Sequence, residues 1–423
     1  MAKGKRCAPK RRKRHVGGVL AAVLALALIA GAAAFVLPRV LAGGEGQENA
    51  DAAVENLDGN GDEVVEKEPE PVPPPEPEPT LAEKTLEGMT LYEKVCQLFI
   101  VFPRDITGVS QVVAAGDTTR QALEKYPVGG FIYDKTSMQT KEQVTTMLQT
   151  TQTFVKIPLI TTCDEEGGRV NRLMSTVGTT WVGPMLDYKE QGTEKAAENA
   201  LTIAKDLVSC GFNTDLAPVA DVWSNPDNTV IGDRAYSDDF AEAAELVASA
   251  VAGFHEGGVA CTLKHFPGHG DTSADSHYGS VYVYKSMDEI RAEELLPFKA
   301  GIDAGADAAM MGHLIVTDVD ENVPAVFSYE MVTEILRGEL GFAGVVMTDA
   351  LQMQAMTDHY SSGEIAVNAV KAGVDMLLCP ADLNAAVNAL VQAVEKGEIT
   401  EERINESVLR ILTLKENRGI LTE

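Results

Sequence analysis

From Leu81 onward the chain alternates short apolar runs with longer stretches in which apolar residues recur every three or four positions. The runs are QLFIVF (97–102), VGGFIYD (128–134), PLITTCD (158–164), FNTDLAPVADV (212–222), GVACTLKHF (258–266), DAAMMGHL (307–314), GVVMTDA (344–350) and VDMLLC (374–379). Runs of this length read as strands buried on both faces. Between them KEQVTTMLQTTQTFVK, EKAAENALTIAKDLVSCG, DFAEAAELVASAVAGFHEGG and NAAVNALVQAVEKG have helical spacing, and several end in the Gly expected just past a helix C-terminus. Alternating strand and helix implies a parallel sheet. Eight such units within residues 81–423 predict an α/β fold, a (β/α)8 barrel in one domain, over an open doubly wound sheet. No GxGxxG follows the first run to favour the latter.

The barrel places its chemistry at the C-terminal ends of the strands. Polar residues fall there: Asp164 closes the third run, Asp221 the fourth, Lys264 and His265 the fifth, His313 the sixth and Asp349 the seventh. One of these could be a satisfied core polar group. So many in matching positions point to a site.

The segment ahead of the body has a different pattern. A basic tail (1–15) containing KGKRCAPKRRKRH precedes VGGVLAAVLALALIAGAAAFVL (16–37), which carries no charge and is close to the ~20 residues that span a bilayer as a helix. The positive-inside tendency would leave the N-terminus in the cytoplasm and everything after Arg39 outside, as a single-pass anchor. Cleavage after Val40-Leu41-Ala42, giving a secreted body, is the competing reading, although a signal's apolar core usually runs only ~7 to 15 residues. Residues 38–80 turn acidic and then proline-rich, ending EPEPVPPPEPEPT, a composition that favours an extended linker over a packed core.

Charge narrows the partners. Residues 1–44 hold nine Lys/Arg and no acid, and residues 45–80 hold twelve acids and one lysine. Of the totals of 35 basic and 63 acidic residues, 81–423 therefore keep 25 and 51, a net of −26. Such a body repels nucleic acid. The six cysteines, Cys7, Cys96, Cys163, Cys210, Cys261 and Cys379, form no CxxC pair and read as core residues.

The stretch KHFPGHGDTSADSHYG (264–279) carries the densest chemistry and admits three readings. His265, His269 and His277 with Asp271 and Asp275 are metal-ligand types. Pro267, Gly268 and Gly270, however, break any helix that would present two rings together, and Lys264 sets a positive charge beside the ion. A phosphate loop would need GxxxxGK[ST], which is absent. In an acid/base loop Asp275 would hydrogen-bond one nitrogen of His277, fix its tautomer and raise its basicity, leaving the other nitrogen to move a proton. Asp349 stands where a barrel's carboxylate nucleophile would, and glycoside hydrolysis with retention needs a nucleophile and an acid/base group on opposite sides of the bond.

KHFPGHGDTSADSH, with DEEGGRVNR, APVADVWSNPDNTVIGDRAYSDD and VMTDALQM, resembles glycoside hydrolase family 3 in its β-N-acetylhexosaminidase branch, over most of 81–423. The resemblance implies a retaining exo-β-N-acetylglucosaminidase in which Asp349 forms the glycosyl-enzyme intermediate. His277, paired with Asp275, would protonate the leaving oxygen and then activate water. It also implies sugar contacts at Asp164, Arg172, Arg234, Lys264 and His265, and it implies no metal and no cofactor. Relatives often have Gln at the position of Glu165, and a small residue plus Ala at those of Met311 and Gly312.

With the anchor and linker, these features imply a glycan substrate, with peptidoglycan fragments of the cell wall the expected source. A β-glucosidase remains an alternative. So does a phosphorylase, since a neutral imidazole does not repel incoming phosphate. Outside enzymes the alternative is a surface-anchored wall-binding protein. The glycines of the loop, Gly268, Gly270 and Gly279, are expected to be its flexible points.

Overall fold

Every one of the eight apolar runs contains a strand, and the eight strands share one parallel sheet. The computed structural model describes residues 78–276 and 279–423. In chain order the strands are β1 (Phe99–Val101), β2 (Gly130–Ile132), β3 (Ile160–Cys163), β4 (Thr214–Asp215), β5 (Ala260–Phe266), β6 (Val281–Val283), β7 (Ala308–Met311), β8 (Leu314–Val316), β9 (Val345–Thr348) and β10 (Leu377–Leu378). The sheet runs β10-β1-β2-β3-β4-β5-β7-β9. Its edges meet: Met347 bridges Met376, Thr348 N donates to Met376 O at 2.9 Å, and Leu351 N donates to Leu378 O at 2.8 Å. Closing the ring satisfies backbone groups that an open edge would leave bare.

Strand periodicity sorts the side chains. Ile100, Ile132, Ile160, Met310, Val345 and Met347 fill the barrel, while their neighbours Phe99, Val101, Phe131, Ala309 and Val346 pack outward against the helices. The helices begin at side-chain caps, as at Asp239, whose carboxylate accepts from Glu242 N at 2.9 Å at the start of Phe240–Glu256. That helix lies hard against Gly192–Cys210: a Cβ at Gly253 would sit 2.2 Å from Ala197 O.

The β6–β8 pair is a separate two-stranded ribbon that the sequence reading did not anticipate. DAAMMGHL continues through Gly312 directly into β8, so one apolar run supplies two strands.

The C-terminal helix, Glu401–Asn417, closes the barrel base. It inserts Ile411 and Leu414 into the interior cluster, and full burial of each contributes roughly 1.5 to 3 kcal/mol. Three of the polar groups met by this helix and its C-cap lie just ahead of strands, which marks the N-terminal end of the ring. Arg410 Nη1 reaches Asp375 at 3.1 Å, Lys415 Nζ donates to Gln97 at 2.9 Å, and Arg418 Nε donates to Asp307 at 2.6 Å. Glu416 in turn accepts from Leu81 N and Ala82 N, so the first helix, Leu81–Glu87, docks at the same end.

Thr80, the last residue of the expected linker, caps that first helix. The tail (1–15), the apolar run 16–37 and the linker to residue 77 lie outside the described residues. Among the described residues no helix is long and apolar enough to cross a membrane. The five described cysteines are free and buried, as core residues would be.

Lys415 is fully enclosed, and burial pulls its ammonium down to about 7. Between that value and the ~10.4 of an unfolded lysine, the unfolded chain binds the extra proton, so this group makes stability rise with pH across that window. Denaturant melts from pH 7 to 10 should show a shallower rise in Lys415→Met than in the parent, whatever the offset between them at pH 7.

Candidate active site

At the C-terminal ends of the strands lies a cleft of about 350 Å³, and its charged lining comes from four different strand ends. Asp164 follows β3, with Glu166 and Arg172 in the loop after it. Arg234 stands on the short turn Gly232–Arg234 beyond β4, Lys264 and His265 on β5, and Asp349 directly after β9.

These groups form one lattice of alternating charge. Lys264 Nζ lies 3.0 Å from Asp164 Oδ1 and also pairs with Glu166 Oε1. Arg172 Nη2 donates to Asp164 Oδ2 at 2.9 Å, and Arg234 grips Glu166 through Nε and Nη2 at 2.8 and 2.9 Å. Lys264 is 2% exposed and Glu166 5% exposed, so neither charge is tolerable without its partners. Burial pushes the Glu166 carboxyl up, but Arg234 and Lys264 more than reverse this and hold it far below the usual range. Asp164 behaves likewise, with Lys264 and then Arg172 outweighing burial. Burial lowers Lys264, and Glu166 and Asp164 raise it further than burial lowers it.

His265 is oriented from behind. The buried Asp221 accepts from His265 Nδ1 at 2.6 Å, from His265 N at 3.2 Å and from His269 N at 2.6 Å. This leaves His265 Nε2 for the cleft. Thr272 donates its hydroxyl proton to His269 O at 2.9 Å, so it accepts from His269 Nδ1 at 2.7 Å. His269 Nε2 is then the acceptor facing Ser276 Oγ at 3.4 Å. Burial holds this imidazole below its ordinary value, in keeping with a neutral ring whose two nitrogens are both engaged by hydroxyls. The geometry thus uses His269 to fasten the loop, not to offer a metal ligand.

Among the described residues, the grouping that most resembles a metal site is His255, Cys261 and Asp307. Arg418 already donates to Asp307 there, a fixed cation where the ion's charge would sit.

Asp349 is half-buried, its Oδ1 accepting from Ala350 N at 2.7 Å and its own N–H donating to Met311 O at 3.0 Å. Burial raises its carboxyl, but His265, His313, the Ala350 N–H and Lys264 together hold it below the usual carboxylate value. His313 donates from Nε2 to Ala350 O at 3.1 Å, steadying the turn that carries the carboxylate.

The structure therefore gathers Asp164, Arg172, Arg234, Lys264, His265 and Asp349 around one cleft. Asp275 is described and half-buried, whereas His277 lies outside the described residues. The sequence reading gave Glu166 no part in the site, and it named Asp221 at its strand end and His269 as a possible metal ligand without assigning either a role beside the sugar. Glu166 could have been found from DEEGGRVNR, where two adjacent acids at a strand end need two explanations. The first of them, Glu165, faces away, accepting from Leu173 N at 2.8 Å and Met174 N at 3.0 Å. A Gln oxygen could accept the bonds made at Oε2 but not the Met174 N–H at Oε1 as well, and because this side chain faces the Arg172–Met174 backbone, its departure from the pattern does not touch the cleft. Two of the loop glycines have a packing role that the sequence does not show. A Cβ at Gly270 would lie 1.7 Å from Val222 O, and one at Gly268 within 2.8 Å of Glu294, so both serve close packing.

Residues 90–414 match the model of the glycosyl hydrolase family 3 N terminal domain. The chain belongs to glycosyl hydrolase family 3. It is 34% identical over 324 residues to a beta-hexosaminidase A of Pseudoalteromonas piscicida, covering 70% of this chain but 54% of that protein. A beta-hexosaminidase of Stenotrophomonas maltophilia is 37% identical over 268 residues, 61% of this chain and 78% of that one. In structure the family 3 β-N-acetylglucosaminidase of a Paenibacillus species superposes with a TM-score of 0.75 at 38% identity, over 79% of this chain and 64% of that one. The chain thus spans about half to two thirds of the length of the first of these relatives and of that solved structure.

In this family 3 chain Glu166→Gln would leave Lys264 and Arg234 short of a counter-charge, at about 3 kcal/mol of stability near neutral pH. The loss should appear in urea melts. Because Glu166 is depressed in the folded state, the difference from the parent should shrink as pH falls below ~4.

Proposed function

We propose that this protein is a retaining exo-β-N-acetylglucosaminidase that removes terminal β-linked N-acetylhexosamine from glycan fragments. One observation carries the reading. The three carboxylates lining the cleft, Asp164, Glu166 and Asp349, are all held below the ordinary range, so none is suited to donate a proton near neutrality. Two of them are bound to cations. Among the described residues Asp349 has no lysine or arginine hydrogen-bonded to it, which supports it as the nucleophile.

The proton then comes from the loop after β5, where Asp275 and His277 stand two residues apart and Ser276 between them is tied to His269. His277 protonates the glycosidic oxygen as Asp349 attacks the anomeric carbon. The glycosyl-enzyme forms, and the same imidazole takes a proton from water as the second displacement returns the sugar with its original anomeric configuration. Arg172, Asp164, Lys264 and His265 Nε2 supply donors and acceptors for the hydroxyl and acetamido groups of the sugar, and Arg234 acts mainly by holding Glu166.

The beta-hexosaminidase names of the relatives support the acetamido sugar. The apolar run 16–37 and the acidic linker support a body held outside the membrane, with peptidoglycan fragments as the source of substrate.

Full-chain protein should release chromophore from an aryl β-N-acetylglucosaminide in preference to the β-glucoside, with the β-anomer as first product by NMR. Asp349→Ala should abolish turnover, and His277→Ala should lower it by about 10² to 10⁴. Strong acceleration by phosphate would redirect the reading to phosphorolysis, and binding without turnover by the parent would make this a wall-binding protein.

A further inference from the structure

Glu165 follows Asp164 directly and does not line the cleft, yet it is 1% exposed and its carboxylate accepts three backbone N–H groups of the same loop. Oε2 takes Arg172 N at 2.5 Å and Leu173 N at 2.8 Å, and Oε1 takes Met174 N at 3.0 Å. These N–H groups open the short helix Leu173–Thr176, where a helix has no internal partners to give them and where its dipoles favour an anion. The backbone of Glu165 is held as well, its N–H donating to Oδ1 of the fully buried Asp215 on β4 at 3.1 Å. One residue therefore ties both ends of the loop, Asp164 through the chain and Arg172 through its side chain.

The consequence falls on Arg172. Its guanidinium crosses back to Asp164, Nη2 to Oδ2 at 2.9 Å, while Asp164 Oδ1 accepts from Lys264. A long side chain keeps such a geometry only while the backbone beneath it is fixed. We propose that Glu165 is a positioning residue, whose carboxylate sets the Arg172 backbone and, through it, the guanidinium that meets the sugar. The inference rests on the sugar-binding role given to Arg172 above.

The ionised form matters because all three partners are donors. Protonation, or an amide in its place, turns one of the two acceptor atoms into a donor facing an N–H group. The ionisable groups around Glu165 are Arg172, Cys163 and Asp164 at the end of β3, Asp215 on β4 and Cys210 on the helix Gly192–Cys210, and of these only Arg172 is a cation. Burial raises the Glu165 carboxyl, and the three N–H groups and Arg172 offset only part of that. As pH falls, the tie is therefore lost earlier than an ordinary glutamate would lose it.

The test follows kcat and KM of the full-chain protein on an aryl β-N-acetylglucosaminide from pH 4 to 8. At pH 7 Glu165→Gln should raise KM about fivefold with kcat changed far less. The rise in KM that the parent shows on acidification should be absent from this variant. In an Arg172→Ala background, adding Glu165→Gln should change KM no further. An unchanged KM in Glu165→Gln, or losses that simply add in the double variant, overturns the positioning role. The parent's own acid-side rise in KM, read where urea melts show it folded, makes the same test without a substitution, and a flat KM there overturns the role too. Calorimetry with N-acetylglucosamine separates this inference from the reaction beneath it. Weaker sugar binding in Glu165→Gln, in a protein that turns nothing over, supports positioning and overturns the reaction, whereas a parent that neither binds nor turns over overturns both.

Discussion

The cleft depends on one buried ammonium. Lys264 rises from the middle of the ring into a space where water cannot solvate it, and it is stable there because Asp164 and Glu166 flank it. Each carboxylate is in turn held by an arginine. Five side chains from three successive strand ends thus become a single rigid wall, with each charge's desolvation offset by its neighbours. Removing any member strands the others, so the wall behaves as a unit.

That rigidity divides the labour of the site. A wall of satisfied charges can orient a polar ligand without exchanging protons with it, because its carboxyls are pinned ionised and its cations pinned charged. Proton traffic has to come from outside the wall. Asp221 and His269 bind the loop after β5 to the barrel on one side of Asp275, through backbone amides and a neutral imidazole. The site thus combines a fixed electrostatic surface with a loop that is fastened to the barrel at His269.

Much of this was legible in the sequence because the barrel obeys a simple grammar. A strand buried on both faces must be an unbroken apolar run, and the first polar residue after it must stand at the mouth. Asp164, Asp221, Lys264, His265 and Asp349 were all visible on that rule. Glu166 and the role of Asp221 were harder to read, because their importance lies in what they touch. Glu166 meets Arg234 across 68 positions, and Asp221 meets His265 across 44. Only the folded ring brings those pairs together. The packing role of Gly268 and Gly270 was hidden for a related reason: flexibility and close approach leave the same residue in the sequence. The β6–β8 ribbon was missed because its second strand continues an apolar run already assigned to the barrel.

The base of the barrel has its own consequence. Glu416 of the closing helix holds the backbone of Leu81 and Ala82. The first described helix and the last therefore share the face opposite the strand ends that carry Asp349. A support coupled ahead of Leu81 would grip the barrel by its floor and leave the mouth unobstructed, so immobilised protein should meet bulky polymeric ligands as freely as small ones.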